Sequence, residues 1–307
     1  MKKNTLTVAI PAFNEEQNIR EMLGSLLEQK STLCTLKEII VYSDASTDRT
    51  HEIVRNLQKK NPIIKLKIGK KQAGKYLRMN QMFKECTSDI LVVLDADIAL
   101  ANVQFLNRLS EVILKDSKAM MVAAHQVLLR PKSFIGKILH TNFVLWDFIR
   151  WSVPDYDNAN NFYASATAFR MSFAKTINIP TNLSDPHLYL FLVVDKVKGF
   201  RYARNAEILQ QPISTWTDFN KFLKRSLGKK DSELEKITGV NSETVHIIPL
   251  KYKIKGLIQC FRWQPFYTIP ALLVSLYMKI RPSGNVDTNA IWDIVTSTKK
   301  PIFHAKK

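Results

Sequence analysis

Two carboxylates stand two residues apart in Leu94-Asp95-Ala96-Asp97, directly after the apolar run Ile90-Leu91-Val92-Val93-Leu94. Such a pair leaves a strand end together and offers hard oxygen ligands. A magnesium-type ion takes one or two protein carboxylates and completes its shell with water and substrate phosphates. Upstream, Gly74-Lys75 opens a helix-forming stretch, where backbone N–H groups and an ammonium can meet a phosphate. Two further polar clusters, Pro11 to Glu16 and Ser43 to Thr47, each follow an apolar run. Taken singly these groups say little. Paired aspartates also cap strands, and Lys70 and Lys71 read as a solvated basic loop.

Their arrangement says more. Leu6 to Ile10 reads as a buried strand ended by Pro11. Asn14 to Gln29 carries Ile19, Leu23, Leu26 and Leu27 at helical spacing, with acidic residues in its first turn. Lys37 to Tyr42 is a second strand, Thr50 to Lys60 a second helix and Pro62 to Ile68 a third strand. Tyr76 to Cys86 is a third helix and Ile90 to Leu94 a fourth strand. This alternation predicts an α/β fold with a mainly parallel sheet flanked by helices. Ligands of such sheets bind beyond the carboxyl ends of the strands. All three polar clusters follow strands, so they converge on one crevice. Further on, Met120 to Val127 predicts another strand, and Phe134 to Trp151 is apolar at near-helical spacing.

Hydrophobic residues make up 46% of the 307 and charged residues 23%, which excludes a disordered chain. Lys and Arg number 45 against 27 Asp and Glu, a net charge of +18. That excess implies an anionic partner: nucleic acid, an acidic membrane surface or a phosphorylated substrate. Nucleic acid explains neither the ordered polar loops nor an acidic cluster that would repel its backbone, so no nucleic-acid partner is expected. Cys34, Cys86 and Cys260 are odd in number and form no CxxC pair. That spacing argues against a disulfide framework or a cysteine zinc site, and a reducing compartment fits. The run after Met1-Lys2-Lys3-Asn4 is short and alternating, a first strand rather than the core of a signal peptide.

Trp263 to Met278 contains no charged residue. As a helix it would span about 24 Å, short of a bilayer core of about 30 Å. Pro265 and Pro270 interrupt it. Arg262, Lys279 and Arg281 flank it, and Trp263, Phe266, Tyr267 and Tyr277 lie within it. That composition suits a helix or hairpin lying in a membrane interface, with a buried core helix as the alternative and a true span the least favoured reading.

Together, Ala9-Ile10-Pro11-Ala12-Phe13-Asn14-Glu15-Glu16, Ser43-Asp44-Ala45-Ser46-Thr47-Asp48, Gly74-Lys75 with Asn80, and Leu94-Asp95-Ala96-Asp97 carry a specific pattern. In order and spacing they resemble the family-2 glycosyltransferases of the GT-A fold. The resemblance covers residues 5–230. It implies a GT-A-type, Rossmann-like catalytic domain over residues 1–230, followed by a basic and apolar, membrane-interfacial helical region over 231–307. It implies inverting transfer from a nucleoside-diphosphate sugar, UDP being the commonest in the family. The acceptor would be a hydroxyl or phosphate on a membrane-associated or lipid-linked glycan. The expected location is the cytoplasmic face of a membrane, peripheral or monotopic. Pro11, Ala12, Phe13, Asn14, Glu15 and Asp44 would hold base and ribose. Asp95, Ala96 and Asp97 would face ribose, diphosphate and a Mg²⁺ or Mn²⁺ ion bound by the two aspartates, and Lys75 would approach the donor phosphates.

Ala164 to Arg170 is similar to the small-residue segment that lines the family's acceptor side. Leu183-Ser184-Asp185 occupies the place of the family's Glu-Asp motif, which makes Asp185 the general base, with Ser184 replacing the glutamate. Of the Gln-x-x-Arg-Trp motif of processive polymer synthases only Arg225 is present, expected at the diphosphate. The missing Gln and Trp argue against processive synthesis. The alternative is an inactive scaffold of the same fold. Altered Ser184 favours it, and intact Asp44, Lys75, Asp95 and Asp97 oppose it.

Overall fold

A computed structural model describes residues 3–183, 185–226, 232–280 and 296–302. An eight-stranded mixed sheet runs in the order β3-β2-β1-β4-β7-β6-β8-β5. Its strands are β1 Thr5–Ala12, β2 Thr35–Ser43, β3 Ile64–Ile68, β4 Ile90–Leu94, β5 Ile98–Leu100, β6 Met121–Leu128, β7 Ala166–Arg170 and β8 Phe200–Gln210. The first four pair in parallel, as the alternating pattern predicts. β7 then runs antiparallel to both β4 and β6. β8 is parallel to β6 and antiparallel to β5.

Helices α1 Ile19–Leu27, α2 Thr50–Lys60, α3 Lys75–Glu85, α4 Phe105–Lys115, α5 Phe134–Trp151, α6 Met171–Ala174 and α7 Pro186–Asp195 follow the strands. β1 is apolar on both faces because it is covered on both. Leu6, Val8 and Ile10 join the cluster under α1, α2 and α4, while Ala9 joins the one under α3 and α7. Two boundaries differ from expectation. β1 continues through Pro11, since its pairing with β4 ends at Ala9 and that flank needs no further ladder bond. α1 begins at Ile19 rather than Asn14: Asn14 has a positive φ of 53°, outside the helical region, and residues 14–16 give their N–H groups to Ser46, Thr50 and Asp48.

Further helices follow: α8 Trp216–Ser226, α9 Ser232–Thr238, α10 Ser242–Val245, α11 Leu250–Trp263 and α12 Pro265–Ile280. α8, α11 and α12 pack with α5, while α9 and α10 join the cluster that holds α7. Gly256 lets α11 cross α5 at close range, since a Cβ there would lie 2.5 Å from the Ile149 nitrogen. Asn142 of α5 donates to the Ala271 carbonyl of α12 at 2.9 Å. Apart from Trp263, which ends α11, and Gln264, the apolar run is a single helix, α12: Pro265 opens it, and Pro270, expected to interrupt it, lies inside it. Among the described residues no helix is long and apolar enough to cross a membrane.

One buried polar group has a measurable cost. His125 in β6 is 7% exposed, 2.6 Å from the Tyr202 hydroxyl and beside Trp151. Burial first, then Arg150 and Arg204, push its imidazole down to about 4. The folded chain therefore refuses a proton that the unfolded chain accepts below about 6.5. Stability from this group is complete above that pH and is lost as pH falls toward 4, by about 1.4 kcal/mol per unit. The difference between wild type and His125→Gln in urea melts from pH 7 to pH 4 should show this slope.

Candidate active site

The site forms where β1, β2 and β4 end. The Pro11–Glu16 loop is laced to the Ser43–Thr50 loop. Asn14, at a positive φ of 53°, accepts the Thr47 N–H at 2.8 Å on its side-chain oxygen. Asp44 stands next, 5% exposed. Its carboxylate accepts from the backbone of Ala73 at 2.9 Å and Gly74 at 2.8 Å, and from Arg78 Nε at 2.7 Å. Gly74 has a φ of 86°, a conformation suited to glycine, and opens α3 at Lys75. Asp44 therefore sets the loop that aims Lys75.

Lys75 lies 2.5 Å from Asp95 Oδ1 and donates to the Ala164 carbonyl at 2.9 Å. The Asp95 N–H is held by the Ser165 carbonyl at 2.8 Å. One ammonium thus ties the first aspartate of the pair to the segment entering β7. Glu15, buried at 6% exposure, receives Asn18 at 3.1 Å and the Lys299 ammonium. Burial raises its carboxyl above the usual range, and Lys299 pulls the other way. Burial, then the neighbouring Glu15 and Asp95, push Asp97 up to about 7, against the pull of Lys299 and Lys75. Mutual repulsion among carboxylates is what a bound cation relieves. Among the described residues no three or more His, Cys, Asp or Glu side chains form a metal cage. Two carboxylates suffice for a magnesium-type ion whose shell a donor diphosphate completes, so Asp95 and Asp97 fit that role.

The predicted acceptor-side groups lie along β7 and at the start of α7. Ala166 pairs with Leu94 at the site end of β4, but Arg170 pairs with Ile90 at the far end. Arg170 is spent on the carbonyls of Ala119 and Asp116, a structural role rather than one at an acceptor. Asn80 exchanges two 2.8 Å bonds with the backbone of Ile179, fixing the segment that leads to α7. Asp185 caps α7, accepting the Leu188 N–H at 2.9 Å. His187, two residues on, meets the Tyr76 ring edge-on at 5.4 Å, which brings the start of α7 beside the start of α3. Arg225 lies in the last turn of α8. Its side chain, and Ser184, lie outside the described residues.

Sequence reasoning missed two residues here. Arg78 is 6% exposed, pairs with Asp44 and donates to the Lys71 carbonyl at 2.7 Å. Gly69 makes room for it, since a Cβ there would lie 1.9 Å from its guanidinium. Its only signal was an arginine one helical turn past Gly74. Lys299 gave no signal, standing 284 residues from Glu15 in the chain.

With this geometry the chain's kinship is plain. The model of Glycosyl transferase family 2 matches residues 7–177, more than half of the chain, and the chain belongs to that family. It is similar to the Probable glycosyltransferase YdaM of Bacillus subtilis (strain 168), 39% identical over 95 residues, 30% of this chain and 22% of the relative. It is also similar to a Dolichol-phosphate mannosyltransferase of Pyrococcus furiosus, 34% identical over 93 residues, 30% of this chain and 26% of the relative. The match thus spans about a quarter of the length of these relatives. Among solved structures it resembles the mannosyltransferase PcManGT from Pyrobaculum calidifontis in complex with GDP-Man and Mn²⁺. That likeness has a TM-score of 0.59 at 16% identity and covers 94% of this chain and 78% of the other. At that identity it is a likeness of fold, and the fold is the GT-A-type α/β sheet flanked by helices.

Arg78→Ala should leave the Asp44 carboxylate buried without its cation and cost about 3–5 kcal/mol of stability in urea denaturation. Alanine at the exposed Lys70 or Lys71 should change stability by less than about 0.5 kcal/mol.

Proposed function

We propose that the chain is an inverting glycosyltransferase that moves a sugar from a nucleoside-diphosphate donor to an acceptor presented at a membrane surface. The observation that carries this reading is the Asp95-Asp97 pair beside Lys75 and Glu15, at the carboxyl ends of β1 and β4. Pro11 to Asn14 and Asp44 border the base and ribose end of that crevice. Asp95 and Asp97 would hold a Mg²⁺ or Mn²⁺ ion, which would supply positive charge to the departing diphosphate. Lys75, fixed between Asp95 and the Ala164 carbonyl, adds to that charge without reorganising. The acceptor oxygen attacks the anomeric carbon as the bond to the diphosphate breaks. Asp185 takes the acceptor proton, so the path is a single displacement with inversion. A phosphate acceptor would need no such base.

The membrane reading draws on the outer face of the last two helices. Leu250, Ile254, Ile258 and Phe261 of α11 are exposed at helical spacing, as are Phe266, Ile269, Leu273, Leu276 and Ile280 of α12. Phe266 is 87% exposed. A continuous apolar face of this kind, bordered by exposed Lys251, Lys255, Arg262 and Lys279, matches an interfacial helix pair on anionic lipid. The Pyrococcus furiosus relative is named for dolichol phosphate, which supports a lipid-linked acceptor. The proposed location is the cytoplasmic face of a membrane, with the protein lying on it.

Asn caps a helix about as well as Asp, so Asp185→Asn separates base from cap. Transfer should fall by about 10²–10⁴-fold, while the Mn²⁺-dependent thermal shift with a UDP-, GDP- or dTDP-sugar persists and is lost in Asp97→Ala. Full turnover in Asp185→Asn would remove the base assignment. No shift with any donor would favour the inactive scaffold.

Phe266→Asp with Ile269→Asp should weaken sedimentation with anionic vesicles in high salt by at least tenfold, given about 1.5–3 kcal/mol per buried apolar side chain. Unchanged retention would sink the proposed face.

A further inference from the structure

The segment 296–302 returns to the sheet and crosses the mouth of the site. The Ser297 N–H donates to Asp218 of α8 at 2.8 Å, and both residues are buried. Asn18 Nδ2 donates to the Lys299 carbonyl at 3.1 Å, and Gln211 to the Pro301 carbonyl at 3.2 Å. Three elements thus hold a short strap by its main chain. What they hold in place is the Lys299 ammonium, which donates to the Phe13 carbonyl at 3.3 Å and pairs with Glu15. Pro301 and Ile302 line a small cavity together with Asp97 and Ala99.

We propose that Lys299 is a diphosphate-binding residue of the donor site, delivered by this strap. The proposal rests on the donor-site reading above. Its first support is position: the ammonium bridges the Phe13 carbonyl and the Glu15 carboxylate in the loop after β1, two residues before Pro301, which shares a small cavity with Asp97. Its second is charge. Glu15, Asp95 and Asp97 carry three negative charges when ionised, against the two positive charges of Lys75 and Lys299. A divalent ion adds two positive charges and a diphosphate diester brings two negative ones. The assembly then carries one net negative charge with Lys299 and two without it. A cation already fixed by its backbone binds an oxyanion without the ordering cost of a free lysine.

Lys299→Gln keeps hydrogen-bonding reach to Glu15 and removes the charge. Calorimetric titration with UDP and with GDP in MnCl₂ should show affinity lower by about tenfold to a hundredfold, the worth of a charged hydrogen bond. Lys299→Arg should retain most of the affinity, and Mn²⁺ alone, followed by electron paramagnetic resonance, should bind Lys299→Gln no more weakly than wild type. Ser297→Pro removes the N–H held by Asp218 and leaves Lys299 intact; it should weaken nucleotide binding in the same direction. Unchanged affinity in Lys299→Gln overturns the proposal. Tighter binding also overturns it and makes the strap an obstacle. If wild type binds with Mn²⁺ and Asp97→Ala does not, the donor-site reading stands whatever Lys299→Gln does. If wild type binds neither nucleotide, both fall.

Discussion

Like charge gathered at the edge of a sheet is the constraint around which this molecule is arranged. Glu15 comes from the loop after β1, and Asp95 and Asp97 from the loop after β4; drawn together, Glu15 and Asp95 raise the cost of ionising Asp97. A fold can tolerate that only by supplying cations at fixed positions. Two arrive from opposite directions. Lys75 comes at the start of α3, aimed by the bonds that Asp44 makes to Ala73 and Gly74. Lys299 comes on a strap anchored to α8 and α1.

A second ion pair stands behind the first and is fully internal. Asp44 and Arg78 are both almost without exposure. Their pairing gives the loop 71–75 its shape, and Gly69 is the space it needs. The residues nearest the proposed chemistry are therefore positioned by a buried polar network, while the apolar clusters on the two faces of the sheet hold the strands that carry it. Loops at strand ends are suited to this division, because the sheet supplies rigidity and the loops supply chemistry.

The molecule also has two kinds of surface. One end of the sheet gathers carboxylates and lysines. The outer side of the α11–α12 pair is apolar and rimmed with lysine and arginine. The pair is joined to the sheet domain through α5, where Gly256 permits a close crossing and Asn142 reaches α12. α8 joins them as well, since Asn220 accepts from the Tyr277 hydroxyl of α12 at 3.1 Å and Asp218 holds the strap that carries Lys299.

Much of this was legible in the chain alone. Apolar runs of five residues alternating with amphipathic helices specify parallel strands, so β1 to β4 and the helices between them followed from local pattern. The polar clusters at Pro11–Glu16, Ser43–Thr47 and Asp95–Asp97 marked the crevice, since strand order places such loops on one edge. What local pattern does not contain is contact between distant segments. That β7 runs backward beside β4, sending Arg170 away from the crevice, depends on sheet topology. That Arg78 serves Asp44, and that Asn80 holds Ile179, depends on how α3 lies over the sheet. That Lys299 meets Glu15 depends on the whole path of the chain after α8. Periodicity is a property of neighbours in sequence, whereas the balance of charge in a buried site is settled only when remote groups are packed together.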